Sequence, residues 1–444
     1  MGTRTNLNFA AVIGLSAVAA SGVASAAGFY IQEQSATGVG RAQAGNVAIA
    51  DDASTIYFNP AGMTQLPGLQ LDNGFVLLVP DASLRDTGSV DHSPFAANSL
   101  PGGSNGANPG SATPIADFYL SAQLPTDLPV WVGLGVSAPF GFAAKYAQDS
   151  FARYDSLDSF VETFDIAPTV AVKLNDWLSL GLGLDVQYAY VKLRSAVPDA
   201  LAVGGPSLAT DGRLTLTGHN WTTGFNGGLL IQPTPRLNIG LSYRYGITHQ
   251  INGSLTVANL QGVLAAANQQ VPGQAALNLP DMVQAGFAYK LTPQWTVLGE
   301  FDFFTWSNFK QIDIHTNSPS LGNLVTNENY KDTYGLAVGA EYQLNDQWRL
   351  RTGFKYDETP TVDAFRDTRV PDGNRFQIAG GFHYQYDEHI GIDASYSHIF
   401  FTDSNINVQR QFFTTVPAIQ TEADINAVSS VAVDILSLGL SYKF

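Results

Sequence analysis

From Gly68 to the C-terminus, apolar side chains recur at every second position in segments of ten or more residues. Around Trp348, the residues Trp348, Leu350, Phe354 and Tyr356 share one face, and Arg349, Arg351 and Lys355 share the other. Trp295, Val297, Phe301 and Phe303 oppose Glu300 and Asp302. At the end of the chain Leu436, Leu438, Leu440, Tyr442 and Phe444 oppose Ser437, Gly439, Ser441 and Lys443. A period of two is that of an extended strand. Strands of about 9–11 residues cross a bilayer when tilted. The pattern predicts fourteen strands, near 68–80, 114–124, 129–142, 160–174, 177–194, 217–232, 236–254, 281–291, 294–309, 330–344, 347–358, 374–386, 389–402 and 431–444.

The connections sort by length. Six are very short: Pro125–Leu128, Asn175-Asp176, Gln232–Pro235, Thr292-Pro293, Asn345-Asp346 and Asp387-Glu388. Seven are long and alternate strictly with them. Short turns at one end and long loops at the other are what an outer-membrane barrel requires, whereas a soluble sandwich has no reason to sort its loops. Trp177, Trp295 and Trp348 each follow a short turn by one or two residues, which sets them at one height, where a membrane interface favours indole rings. The alternative, core packing in a soluble β protein, does not account for that repeated offset. Polar positions of mixed sign, Asp185, Arg244, Glu300, Asp302, Glu341, Arg349, Arg351, Arg375 and His383, fall on the lumen face, where ion pairing or water satisfies them. The expected fold is therefore all-β, an antiparallel transmembrane β-barrel of 14 strands, and closure is the only all-strand way to satisfy the backbone in lipid.

Composition narrows the function. Charged residues make up 14% of the 444 and the net charge is −16. An average soluble domain carries about 25% charged residues. Nucleic acid is excluded as a partner by that charge, since phosphate binding needs clustered Lys and Arg. The absence of Cys removes disulfides, Cys-bound zinc and thiol catalysis. No G-x-S-x-G, H-E-x-x-H or Gly-rich phosphate loop occurs, so no cofactor and no metal are expected. A serine triad assembled in space by a barrel hydrolase is not excluded by spacing.

The N-terminus reads as a secretory signal over 1–26: Arg4, an apolar run from Phe9 to Ala20, then the small-residue site Ala24-Ser25-Ala26. Residues 27–67 do not alternate and are rich in Gly, Ala and Ser. Their composition suits either a plug inside the barrel, residues 68–444, or a linker in the periplasm.

The stretch 28–63 contains Gly38-Val39-Gly40-Arg41-Ala42, Ala50-Asp51-Asp52-Ala53 and Asn59-Pro60-Ala61. It resembles the N-terminal hatch of the long-chain fatty acid outer-membrane transporter family, the FadL/TodX type. LNLPDM (277–282), Trp306-Ser307, YKDTYGLAVG (330–339), WRLRTGFKYDETP (348–360) and Pro371-Asp372 to Arg375-Phe376 extend the likeness over nearly the whole mature chain. The resemblance implies a barrel plugged by residues 27–67. It implies passive inward transport of hydrophobic molecules, long-chain fatty acids first, with neutral aromatic or aliphatic hydrocarbons as the alternative. A general porin or an outer-membrane hydrolase is the alternative from another class.

Several positions follow. Leu260, Val263, Leu264 and Ala267 have helical spacing in a long loop that also holds Leu255, Val257 and Leu277. A second loop holds Val197, Leu201, Val203, Leu208 and Leu214. The two loops either pack against each other as a cap or leave an apolar groove that captures substrate; the resemblance implies the groove. Ten buried methylenes at about 0.8 kcal/mol each give roughly 8 kcal/mol, a micromolar complex before ordering costs. Release is the harder step, since the same energy holds the cargo, and a mobile plug would solve it: Phe29 and the new N-terminus are expected to sit in the pocket and move. The resemblance also implies a lateral gap where Pro139 and Gly141 interrupt a strand, next to Asn59, Pro60 and Ala61. For a carboxylate, Lys192 and Arg194 stand near one of the family's basic positions, while the other reads Thr326-Asn327, without a base. Expected partners are the hydrophobic cargo, outer-membrane lipid and lipopolysaccharide, and the barrel assembly machinery, for which terminal Phe444 is the signal. A monomer is expected.

Overall fold

A computed structural model describes residues 28–94, 96–99, 103–202, 205–318, 324–414 and 416–444. The leader read over 1–26 lies outside these residues. Each strand of the wall pairs antiparallel with the next, and Leu69–Asp86 closes the ring on Thr421–Lys443 from Gln70 opposite Lys443 to Asp86 opposite Ala427. The result is a closed barrel of 14 staves.

The turn residues explain why the short connections hold. Asn175 accepts hydrogen bonds from the amides of Trp177 at 3.0 Å and Leu178 at 2.9 Å. Asn345 accepts from Gln347 and Trp348, Asp387 from His389 and Ile390, and the Thr292 hydroxyl from Gln294 and Trp295. A side chain that bonds amides two and three residues on closes a tight turn. The same device therefore fixes the height of Trp177, Trp295 and Trp348. Trp295 packs on Tyr342 at 4.7 Å and Trp348 on Tyr384 at 4.6 Å, an aromatic belt at one rim. Above it an outward band of Phe75, Leu182, Phe225, Phe287, Leu336, Val338, Ile378 and Leu438 is exposed, as a lipid-facing surface must be.

Strands run further than the periodicity predicts at the long-loop end. The first covers Leu69–Asp86 and the last Thr421–Lys443, because the latter also pairs with Ser404–Phe412 beyond the apolar band. Two segments predicted as single strands are interrupted. Residues 236–254 form Leu237–Arg244 and Thr248–Ala258, separated at Gly246. There the Gly246 amide donates to Asp281, and a Cβ would lie 2.6 Å from the Asp281 nitrogen and the Leu279 oxygen. Residues 129–142 form Val130–Ser137 and then Gly141–Lys145.

Residues 28–66 fold inside the ring and are almost wholly buried. A short helix, Ala36–Gly40, is capped by Ser35, and a 3-10 turn, Pro60–Gln65, by Asn59. Their partners come from all around the wall. Ser395 donates to the Ala36 carbonyl, Trp131 to that of Leu66, and Asn59 donates to that of Leu229. Glycine permits the closest approach: a Cβ on Gly353 would sit 1.8 Å from the Arg41 carbonyl oxygen. Charge completes the anchoring. Arg41 meets Glu341 at 3.2 Å, while Asp51 meets Arg349 at 3.1 Å and Arg351 at 3.3 Å. Burial alone would raise the Asp51 carboxyl, but Arg41, Arg351 and Arg349 hold it well below the usual carboxylate range.

Candidate transport site

The start of the inner segment builds the site. Gly28 adopts φ +68° and donates its amide to Asp372 at 3.0 Å. Asp372 is held in turn by Thr359 and Arg375. That clasp seats Phe29 among four aromatic rings: Trp306 at 4.8 Å, Phe309 at 5.5 Å, Phe142 at 5.8 Å and Phe140 at 6.2 Å. The contacts with Trp306, Phe309 and Phe140 are edge-to-face and add to the burial of the rings themselves.

Above Phe29 lies a cavity with about 580 Å³ of empty space, its mouth included. Its wall is apolar for most of its extent, with Val161, Val191, Leu193, Leu216, Ile251 and Leu277 among its members. At one end stand Glu328, Asp367 and Arg369. An apolar chamber with a small polar end suits a ligand with a hydrophobic body.

The wall beside Phe29 is open in its hydrogen bonding. Thr113–Gln123 pairs with Val130–Ser137 only from Phe118 opposite Val136 to Gln123 opposite Trp131. Gly141–Lys145 pairs with Asp158–Lys173 on its other side. Between 113–117 and 141–145 no ladder is formed among the described residues. Pro139 supplies no amide there. The main chain at the break pairs inward: the Ile31 amide donates to the Pro139 carbonyl at 2.8 Å and the Gly141 amide to that of Phe29 at 2.9 Å. Gln34 adds a donor to the Ala138 carbonyl.

The residues singled out from the sequence separate into distinct places. Phe29, Pro139 and Gly141 come together around the break. Asn59, Pro60 and Ala61 instead pack against Gly181 and bond to Val47 and Leu229, so what faces the break is residues 29–34. Leu260 and Leu264 are buried with Val197, Ala200 and Val257, with Leu201 partly buried on that cluster, whereas Val263 is 82% exposed. Val203 lies outside the described residues. Lys192 and Arg194 bind Asp158 at 2.6 and 3.5 Å, and the cavity is lined by their neighbours Val191 and Leu193.

The sequence assigns no role to Glu328, Asp367 and Arg369, which come from two long loops with no shared spacing to betray them, and Tyr330, predicted to open a strand, precedes the one that begins at Thr333. Among the described residues, His92, Glu422 and Asp424 could share a cation, but they stand apart from the cavity lining.

Fold and site define an outer-membrane β-barrel filled by its own N-terminal segment and holding an apolar chamber. The family model for the outer membrane protein transport proteins (OMPP1/FadL/TodX) matches residues 17–444, and the chain belongs to that family. It is 28% identical over 401 residues to the long-chain fatty acid transport protein of Escherichia coli, covering 84% of this chain and 87% of the relative. Outer membrane protein P1 of Haemophilus influenzae is 25% identical over 462 residues, covering 96% and 97%. A Pseudomonas aeruginosa FadL homologue superposes with a TM-score of 0.85 at 22% identity, covering 94% of this chain and 100% of that one. The toluene transporter TodX of Pseudomonas putida superposes at 0.65 with 15% identity, covering 91% and 98%. Family and barrel together place the protein in the outer membrane, as a transporter of hydrophobic substrates.

Proposed function

We propose that this protein carries long-chain fatty acids inward across the outer membrane by passive diffusion. Apolar loop surface around Val263 captures the cargo, and the chamber above Phe29 receives it. Residues 29–31 then leave the wall, and the cargo passes sideways between 113–117 and 141–145 into the membrane. The observation that carries this reading is the union of chamber floor and wall break: Phe29 closes the one and hydrogen-bonds the other. The curated relatives named for fatty acid transport support the cargo.

Burial of a long alkyl chain supplies the affinity, at about 0.8 kcal/mol per methylene. Release needs that contact to be undone, and a displaceable floor residue does so without an energy source. A packed inner segment speaks against a steadily open porin. We read the protein as a carrier, with no reaction assigned to the site.

Neutral hydrocarbons are the second reading. It is favoured by the fact that Lys192 and Arg194 are engaged with Asp158 and do not line the chamber. Uptake of labelled oleate and labelled toluene by cells lacking their own transporter, with and without this protein, tests both. A gain for oleate supports the fatty acid reading, a gain for toluene alone the hydrocarbon reading, and a gain for neither removes hydrophobic transport.

A further inference from the structure

The polar end of the chamber is electrically closed before Glu328 is counted. Arg369 bonds Asp367, lies 3.2 Å from the Asp155 carboxylate and donates to the Asp155 carbonyl at 3.0 Å. Arg410 reaches Asp155 at 2.7 Å and Asp367 at 3.0 Å. Thr368 adds its amide and hydroxyl to Asp155. Two guanidiniums thus face two carboxylates, with both Nη atoms of Arg369 and the Nε and Nη2 of Arg410 engaged there. Burial works against ionisation of Asp155, yet Arg410, Arg369 and Thr368 hold its carboxyl well below the ordinary range.

Glu328 is the fifth group. It lines the chamber and is 4% exposed. Its amide donates to the Lys310 carbonyl at 2.8 Å, and its side chain is left to line the chamber. The groups facing it are Asp155 on the connection between Lys145 and Asp158, Asp367 and Arg369 on the loop after Asp357, Arg410 on Ser404–Phe412, and Tyr330 beside it. An anion at Glu328 would be the one uncompensated charge in this set, in a wall that is otherwise hydrocarbon. Isolated buried carboxylates take up a proton instead. Burial first, then Asp367, pushes the Glu328 carboxyl well above its ordinary range, against the pull of Arg369 and Arg410.

Resting on the fatty acid reading above, we propose that Glu328 selects cargo by its head group: its carboxylic acid donates a hydrogen bond to an uncharged oxygen. The chamber then takes a long-chain alcohol, an aldehyde or a fatty acid in its protonated form, and disfavours the carboxylate anion. An anionic head would meet bases already paired with Asp155 and Asp367, and would leave the Glu328 oxygens facing like charge.

The test is binding of dodecanol and dodecanoate to the purified full-length barrel in detergent, near pH 8 and near pH 6. Wild type, Glu328→Gln and Glu328→Leu are compared. The expected results are dodecanol about tenfold tighter than dodecanoate near pH 8, and a several-fold gain for dodecanoate on acidification. Glu328→Leu should lose about fivefold for dodecanol, and Glu328→Gln, whose amide still donates, should restore most of it. Dodecanoate binding near pH 8 as tightly as dodecanol, with either variant indifferent, would overturn the assignment of Glu328 and leave hydrophobic transport standing. Failure of both ligands to bind any form would remove the transport reading itself, and this inference with it.

Discussion

The Gly141 amide donates to the carbonyl oxygen of Phe29 at 2.9 Å. A wall residue and a residue of the inner segment therefore share a hydrogen bond that a continuous barrel would have kept within the wall. The broken strand and the chamber floor are one unit, and neither can move without freeing backbone groups of the other.

Phe29→Ala should empty the centre of the aromatic cluster. Large-to-small changes of this kind cost about 3–5 kcal/mol where the site cannot collapse. That loss falls on the seating of residues 28–31, since the wall ladders do not use this side chain. Outer-membrane levels should hold while uptake at low substrate concentration changes several-fold. Unaltered uptake would count against Phe29 as the floor.

Arg244 sits between Asp185 at 2.6 Å and Asp165 at 3.3 Å, donates to the Tyr57 carbonyl and lies over the Tyr57 ring. Arg244→Met should leave two buried acids facing each other. Removing one partner of a buried ion pair costs about 3–5 kcal/mol. The temperature at which the folded barrel loses its compact electrophoretic mobility should fall clearly; an unchanged temperature would show that the network adds no stability.

Glu33 gives a pH signature. Burial pushes its carboxyl from 4.5 to about 7, against Lys355 and Arg375. Between those values the folded chain holds the proton and the unfolded chain has released it. This contribution to stability therefore falls as pH rises through that window. Wild type should lose more thermal stability than Glu33→Gln between pH 5 and pH 8. Parallel losses would show that Glu33 is not the group responsible.

Leu260 and Val263 separate two roles within one loop. Leu260 is 3% exposed and Val263 82%. Leu260→Asp should unseat the packed cap by placing a charge in its core. Val263→Asp should leave the cap intact and weaken capture of oleate at low concentration several-fold. Equal uptake by Val263→Asp and wild type would return Val263 to plain exposed surface.

Much of this was legible in the sequence because strand periodicity is local. The alternation from Trp295 to Phe303 needs only the residues themselves, and Asn345 closes its turn on amides two and three residues on. The interruption at Gly246 was not, because it answers to Leu279 and Asp281, far along the chain. Lys192 and Arg194 hold a further lesson. The alternation that brings Val191 and Leu193 to the chamber turns their neighbours to the opposite face, so the expectation of a base there followed the resemblance against the local pattern. Glu328 and Arg369 meet only through folded loops, and no spacing announces them.

The most direct test of the account pins the floor to the wall. Tyr30 and Phe140 face each other across an antiparallel bridge, flanked by the hydrogen bonds of Ile31 with Pro139 and Gly141 with Phe29. Opposed residues in such a non-hydrogen-bonded pair have Cα atoms about 4.5 Å apart, within reach of a disulfide. The chain has no Cys of its own, so Tyr30→Cys with Phe140→Cys gives one defined crosslink. Oleate uptake by the oxidised variant should fall to the level of cells without the protein and return on reduction. Equal uptake in the oxidised and reduced states would contradict passage through a displaced Phe29.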